Sequence, residues 1–144
     1  MFKAFNVISW AAIFFALAII SVVLYWFLND YKTVEFEVPH KILNENKRVM
    51  QDGLLIQEIK YCKYTTLTPL ISKHFQNGLL YLLPDIVSPK NPLGCGTNIV
   101  SDHIPEDLPP GTYILKTTFK YRVNPIREID IFTETEPFEV ISNE

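Results

Sequence analysis

The sequence offers little with which to bind a metal or to run thiol chemistry. Its three histidines, His40, His74 and His103, stand in no metal-ligand spacing such as HExxH, and its two cysteines, Cys62 and Cys95, form no CxxC pair. Zinc binding and thiol-disulfide exchange therefore lack their ligands and nucleophiles. Basic charge is also scarce: 13 Lys and Arg against 16 Asp and Glu leave a net charge of −3, the wrong sign for a nucleic-acid partner. There is no low-complexity tract and no internal repeat. No cysteine near the N-terminus offers a lipid attachment point, and helical periodicity is missing beyond residue 28.

What the chain does have is one long uncharged run, Val7 to Leu28, reading VISWAAIFFALAIISVVLYWFL. At ~1.5 Å per residue such a helix matches the roughly 30 Å hydrocarbon thickness of a bilayer, so lipid is the first expected partner. Lys3 and the amino terminus flank one end, while Asp30 and Lys32 nearly cancel at the other. The positive-inside tendency then places the N-terminus in the cytoplasm and the C-terminal portion outside it, across a cytoplasmic membrane. Tyr25, Trp26 and Phe27 occupy the outer interfacial belt, and Phe2 and Phe5 approach the inner one. A cleaved signal peptide at Ala16-Leu17-Ala18 is the alternative, but the apolar run continues ten residues past Ala18, beyond a typical h-region. The expected organisation is an anchor over 1–28, a linker over 29–32 and one domain over 33–144.

Cys62 and Cys95 both fall in the exported portion, where an oxidising compartment permits a disulfide; two buried free thiols are the alternative. Beyond Lys32 the pattern is that of strands. Thr33–Val38 is a first strand, and the Asp52-Gly53 turn leads into a long one, Leu54–Tyr64. Asn77-Gly78 predicts a two-residue type I′ turn joining Ser72–Gln76 to Leu79–Leu83. Pro84–Gly96 reads as loop and Thr97–Ser101 as a short strand. After Gly111, residues Tyr113, Leu115, Thr117, Phe119, Tyr121 and Val123 alternate with a polar face bearing Lys116, Lys120 and Arg122. Asn124-Pro125 breaks that strand, and Glu128–Thr135 returns with Ile129 and Ile131 inward. Phe138 and Val140 carry the opposite parity, which predicts a bulge near Pro137 on an edge strand. The expected fold is all-β: an antiparallel sandwich of about seven strands behind one transmembrane helix.

The run Leu108-Pro109-Pro110-Gly111-Thr112-Tyr113-Ile114-Leu115 resembles the entry to the penultimate strand of immunoglobulin-like domains. The resemblance implies an immunoglobulin-like β-sandwich with Tyr113 as its tyrosine corner, the hydroxyl bonding to backbone around Glu106 or Asp107. The chain departs from antibody domains in having Leu115 two residues on, where they carry cysteine, and no tryptophan beyond residue 28. Any disulfide is thus not their inter-sheet bridge. A second resemblance rests on the anchor together with Tyr61-Cys62-Lys63-Tyr64, Leu93-Gly94-Cys95 and Tyr121-Arg122-Val123-Asn124-Pro125-Ile126-Arg127. This ensemble is similar to small membrane-anchored proteins of tailed bacteriophages, which implies a bacterial inner membrane with the domain in the periplasm.

Ser101-Asp102-His103 joins three residue types of a catalytic triad, yet neighbours on a strand point to opposite faces and cannot form the relay. Asp102 and His103 then read as solvated or capping a turn, and Asp85, Glu106 and Asp107 as exposed carboxylates without calcium spacing. Lys116, Lys120 and Arg122, joined by Lys60 or Lys63, offer a basic face for an anionic partner; the alternative is a solvated face balanced by Glu128, Asp130 and Glu134. Arg127 lies in the turn beside it. The function this supports is a non-catalytic, membrane-tethered binding or assembly module with a protein partner and no cofactor. A structural virion protein and a lysis effector are the alternatives.

Overall fold

The structure, a computed structural model, describes residues 2–88 and 91–142. Helix α1 (Phe2–Leu28) has no proline or glycine to interrupt it, and the hydroxyl of Ser21 is satisfied within it by the Leu17 carbonyl at 2.8 Å. Its stretch Trp10–Leu28 is long and apolar enough to cross a membrane. The side chains there are exposed, except for a half-buried Trp26, so this helix contributes nothing to a globular core.

The rest is built of strands in two sheets. In the first, β4 (Leu54–Lys63) is central; β1 (Val34–Phe36) and β2 (Lys41–Ile42) share one of its edges and β8 (Gly94–His103) takes the other, all antiparallel. In the second the order is β3 (Arg48–Met50), β11 (Phe138–Ile141), β9 (Gly111–Asn124), β5 (Leu70–Asn77), β6 (Leu79–Leu82). Strand β10 (Arg127–Glu134) also pairs with β9, and β7 (Ile86–Val87) with β5.

The all-β expectation thus holds, with corrections in detail. Eleven strands appear among the described residues rather than about seven, because several long strands are broken into collinear pieces. The pairing is not all antiparallel: β11 runs parallel to β3, with Val140 opposite Val49. The first strand is shorter than Thr33–Val38, since Pro39 follows and cannot donate to a ladder. Pro84–Gly96 is not all loop: Ile86 and Val87 pair with Ile71 and Leu70, and β8 begins at Gly94. Thr97–Ser101 is therefore the middle of a ten-residue strand zipped along β4. At the hairpin only Gly78 has positive φ, +66°, and Gln76 faces Leu80, so the connection is not a two-residue I′ turn.

The bulge near Pro137 is present. Glu134 faces Lys116 and Phe138 faces Tyr113, so the returning chain uses one residue more than β9 over that interval. The strand beyond it is not an edge, however, because β3 covers its far side. Gly53 closes the turn into β4; a Cβ there would lie 2.8 Å from the Met50 carbonyl.

Two apolar clusters fill the space between the sheets. One gathers Leu55, Phe75, Ile104, Leu108, Tyr113, Leu115 and Phe138 with their neighbours; the other gathers Val34, Tyr61, Ile71, Phe119 and Tyr121. Between them lies a buried polar layer of Gln57, Lys73, Asp102, Thr117 and Thr133. Lys73, Thr117 and Thr133 sit abreast on one row of the second sheet.

Candidate functional site

The turn between β9 and β10 grips the end of α1. A helix leaves its last carbonyls without intrahelical donors, and α1 has no basic residue in its own last turn. Arg127 supplies both the donors and the charge: its guanidinium donates to the carbonyls of Phe27 at 3.2 Å and Asn29 at 2.7 Å. Asn124 Nδ2 donates to the Trp26 carbonyl at 3.2 Å. Segment 29–32 is tied down from its other end as well. Lys32 meets Glu35 at 2.9 Å and lies 4.2 Å from the Tyr64 ring centroid, while the Tyr64 hydroxyl donates to Glu35 at 2.8 Å. The strand body is therefore held against the helix end at several points.

Strand register sorts the basic residues. Lys116, Lys120 and Arg122 share the outer face of the second sheet, directly opposite Glu134, Asp130 and Glu128 on β10. Three cations face three anions, so the face is balanced in charge, although among the described residues none of these pairs closes to a 4 Å ion pair. Lys60 and Lys63 do not join them, because β4 belongs to the other sheet. Lys60 is exposed beside Glu37, whereas Lys63 points inward, 6% exposed, with its ammonium 3.4 Å from the Asn91 carbonyl. Arg127 belongs to the helix contact. Apolar side chains flank the charged ladder: Phe132 on β10, and Leu82 and Val87 along β5, are each more than 70% exposed.

Cys62 and Cys95 lie opposite each other on β4 and β8 at disulfide distance, S–S 2.00 Å. The bridge joins neighbours within one sheet. Such a crosslink removes loop-closure entropy from the unfolded chain, and reduction or the double change Cys62→Ser, Cys95→Ser is expected to lower stability by about 2–4 kcal/mol. Urea unfolding of the full chain in detergent, with and without reductant, measures it.

Tyr113 donates its hydroxyl to the Pro109 carbonyl at 2.8 Å, not to Glu106 or Asp107. Burial pushes this hydroxyl up, with Tyr81 adding to the shift. Asp102 is neither solvated nor a cap. It points inward from β8, pairs with the Lys73 ammonium of the opposite sheet, and accepts from Gln57 Nε2 at 2.6 Å. His103, on the outer face, meets Asp52 at 3.0 Å. No group of three or more His, Cys, Asp or Glu among the described residues is placed to hold a metal.

His40 was the histidine with least to mark it in sequence, and it is the most deeply placed. It bridges the sheets: its backbone pairs with Glu134 and Glu136, and its Nδ1 lies 3.1 Å from the Glu37 carbonyl. Nδ1 therefore carries the proton, and the buried Nε2 has no partner. Burial holds the ring below the usual histidine range, outweighing the Glu37 contact; His74 is lowered too, by burial and then by Lys116. An unfolded histidine takes up its proton near pH 6.5, the folded one only at lower pH. Stability is thus fully present above about pH 6.5 and falls as the pH drops below it. Urea midpoints between pH 7.5 and 5 are expected to fall less steeply for His40→Gln than for the native chain.

The polar layer borders a cavity of about 150 Å3 between the sheets, whose walls include Ile59, Tyr61, Val100, Ile71, Phe119 and Tyr121. These positions follow from the alternation of β4, β5, β8 and β9, and the signal for the polar ones was parity. Lys73 shares a strand face with Ile71 and Phe75, and Gln57 with Leu55 and Ile59. No protein-family model matches this sequence, and no curated protein matches it.

Proposed function

We propose that this protein is a membrane-anchored, non-catalytic recognition or assembly module, an immunoglobulin-like β-sandwich that meets a protein partner in or beside the same membrane. The observation that carries this reading is the grip of Arg127 and Asn124 on the last carbonyls of α1. A domain fixed at the end of a span samples a thin layer at the bilayer surface. Its effective concentration for a partner there is high, and modest intrinsic affinity suffices.

The strand order supports the immunoglobulin-like assignment. In this reading strands β6, β5, β9 and β10–β11 stand for C′, C, F and G in one sheet, and β1–β2, β4 and β8 for A, B and E in the other. The Tyr113 to Pro109 bond suits a tyrosine corner at the start of F. The lone Lys3 and the paired cysteines favour an N-terminus in the cytoplasm and a domain in the periplasm or outside the cell. If the phage resemblance carries over, the setting is a host inner membrane and the role is superinfection interference or lysis.

Because the ladder of Lys116, Lys120 and Arg122 is already balanced, the partner is assigned to the exposed apolar residues beside it. A photo-crosslinking residue placed at Phe132 or Leu82 in intact membranes is expected to yield a discrete adduct, while one at Ile99 on the other sheet yields none. Arg127→Glu with Asn124→Ala is expected to cut the yield severalfold without unfolding the domain. Equal adducts at Ile99 and Phe132, no adduct anywhere, or a yield indifferent to the Arg127 change would overturn the proposal.

A further inference from the structure

The inter-sheet cavity has apolar walls and, at one end, a charge that nothing answers. At about 150 Å3 it has the size of an engineered apolar cavity that takes up benzene, so a molecule of about six to eight heavy atoms is the right scale of occupant. Ile59, Val100, Ile71 and Phe119 supply the apolar walls. Burial pushes the Tyr121 hydroxyl in the same wall up to about 12, consistent with a water-poor environment.

Two lysines line this space, and they differ in what balances them. Lys73 is paired with Asp102. Lys63 is buried on the inward face of β4, in line with Gln57 and Tyr61, yet among the described residues no carboxylate lies within 4 Å of its ammonium. Its hydrogen bond to the Asn91 carbonyl is a long one, 3.4 Å. Asp102 cannot serve both lysines: it stands opposite Leu55, at the other end of β4, roughly 26 Å from Lys63 along the backbone at strand rise. An ammonium withdrawn from water without a counter-charge has lost its hydration for no return, and a low-dielectric pocket strengthens its attraction for any anion brought to it.

The end of the cavity at Lys63 also has room. On the inner face of β8 the side chains stop short of it: Gly96 stands opposite Tyr61 and Gly94 opposite Lys63. The Tyr61 hydroxyl takes up the first place, 3.4 Å from where a Cβ on Gly96 would lie, but a Cβ on Gly94 would meet no described atom within 4 Å. A hydrocarbon in the cavity would leave the Lys63 charge unbalanced, and an ammonium would add to it. A bare anion would leave the apolar walls uncovered. A carboxylate with a short apolar tail satisfies both.

We propose that this cavity binds a short-chain monocarboxylate of about the size of hexanoate, its carboxylate accepting from Lys63 Nζ and its tail lying among Ile59, Val100, Ile71 and Phe119. The site is independent of the recognition reading and stands or falls separately from it. The test uses the full chain in nanodiscs of zwitterionic lipid, with hexanoate, 1-hexanol and acetate as probes at matched free aqueous concentrations, read at the methyl resonances of Ile59, Ile71 and Val100. Hexanoate is expected to shift these signals saturably, with an affinity at least tenfold above that of 1-hexanol, which has the tail without the charge. Acetate, which has the charge without the tail, is expected to bind at least tenfold more weakly than hexanoate.

Lys63→Met, which keeps the apolar stem, is expected to bring hexanoate down to the level of 1-hexanol, and Ile71→Phe, which fills the space, to abolish binding of all three. The proposal is overturned if 1-hexanol or acetate matches hexanoate, if none of the probes moves the cavity methyls, or if the preference for hexanoate survives Lys63→Met. The three-probe comparison on the native chain decides the matter even where a variant does not fold.

Discussion

Replacing Asp102 with alanine is expected to cost about 3–5 kcal/mol of folding stability, a large part of the 5–15 kcal/mol typical of a whole domain. Lys73 and Asp102 are each 9% exposed and come from opposite sheets, so their pairing is what allows either charge to stay out of water. Alanine would leave the Lys73 ammonium buried without a counter-charge and take from Gln57 the acceptor for its amide nitrogen. Removing both charges is another matter. Lys73→Met combined with Asp102→Leu deletes the attraction and both desolvation penalties together, and is expected to recover most of the loss. Urea unfolding of the full chain in detergent separates the cases; a loss below about 1 kcal/mol for Asp102→Ala would mean that water reaches the pair.

Phe75→Ala is expected to cost a similar amount, about 3–5 kcal/mol, for a different reason. Phe75 is fully buried, and its ring meets Tyr113 edge-on at 6.4 Å and Phe138 edge-on at 6.1 Å. Truncation loses the transfer free energy of the ring and leaves a hole among side chains held by two sheets, which close around it only in part. The edge-to-face contacts add about 0.5–1.5 kcal/mol each in favourable cases. Phe75→Leu keeps most of the volume and is expected to lose less than half as much. The same urea titration, run on both variants, gives the ratio.

Much of this architecture was legible in the sequence where neighbours along the chain carry the signal. Tyr113 to Val123 alternate so regularly that the inward face of β9 follows from parity, and the opposite parity of Phe138 announces the bulge before it. Pairings between distant residues left no such trace. The parallel contact of β3 with β11 joins residues some ninety positions apart, and neither strand is longer than four residues. Strand β8 opens with Gly94-Cys95-Gly96, which has no strand propensity of its own; it is a strand because β4 lies beside it. The buried polar layer was partly legible. Lys73 shares the apolar parity of its strand with Ile71 and Phe75, but β8 carries Ile99 on one face and Val100 on the other, so only the packing of one sheet on the other shows that Asp102 meets Lys73 there.

The polar layer also divides the interior in a way that bears on how the protein comes apart. Two apolar clusters separated by a neutralised ion pair do not have to dissolve together: the half around Phe75 and Phe138 and the half around Phe119 and Tyr121 are sealed by different side chains. Opening free energies vary along a structure, and the two halves differ in what ties them down. The unit containing Val34 and Tyr121 adjoins the residues tied to α1, and the other ends at the hairpin around Gly78. The far end is thus expected to open first, while the end tied to α1 stays shut.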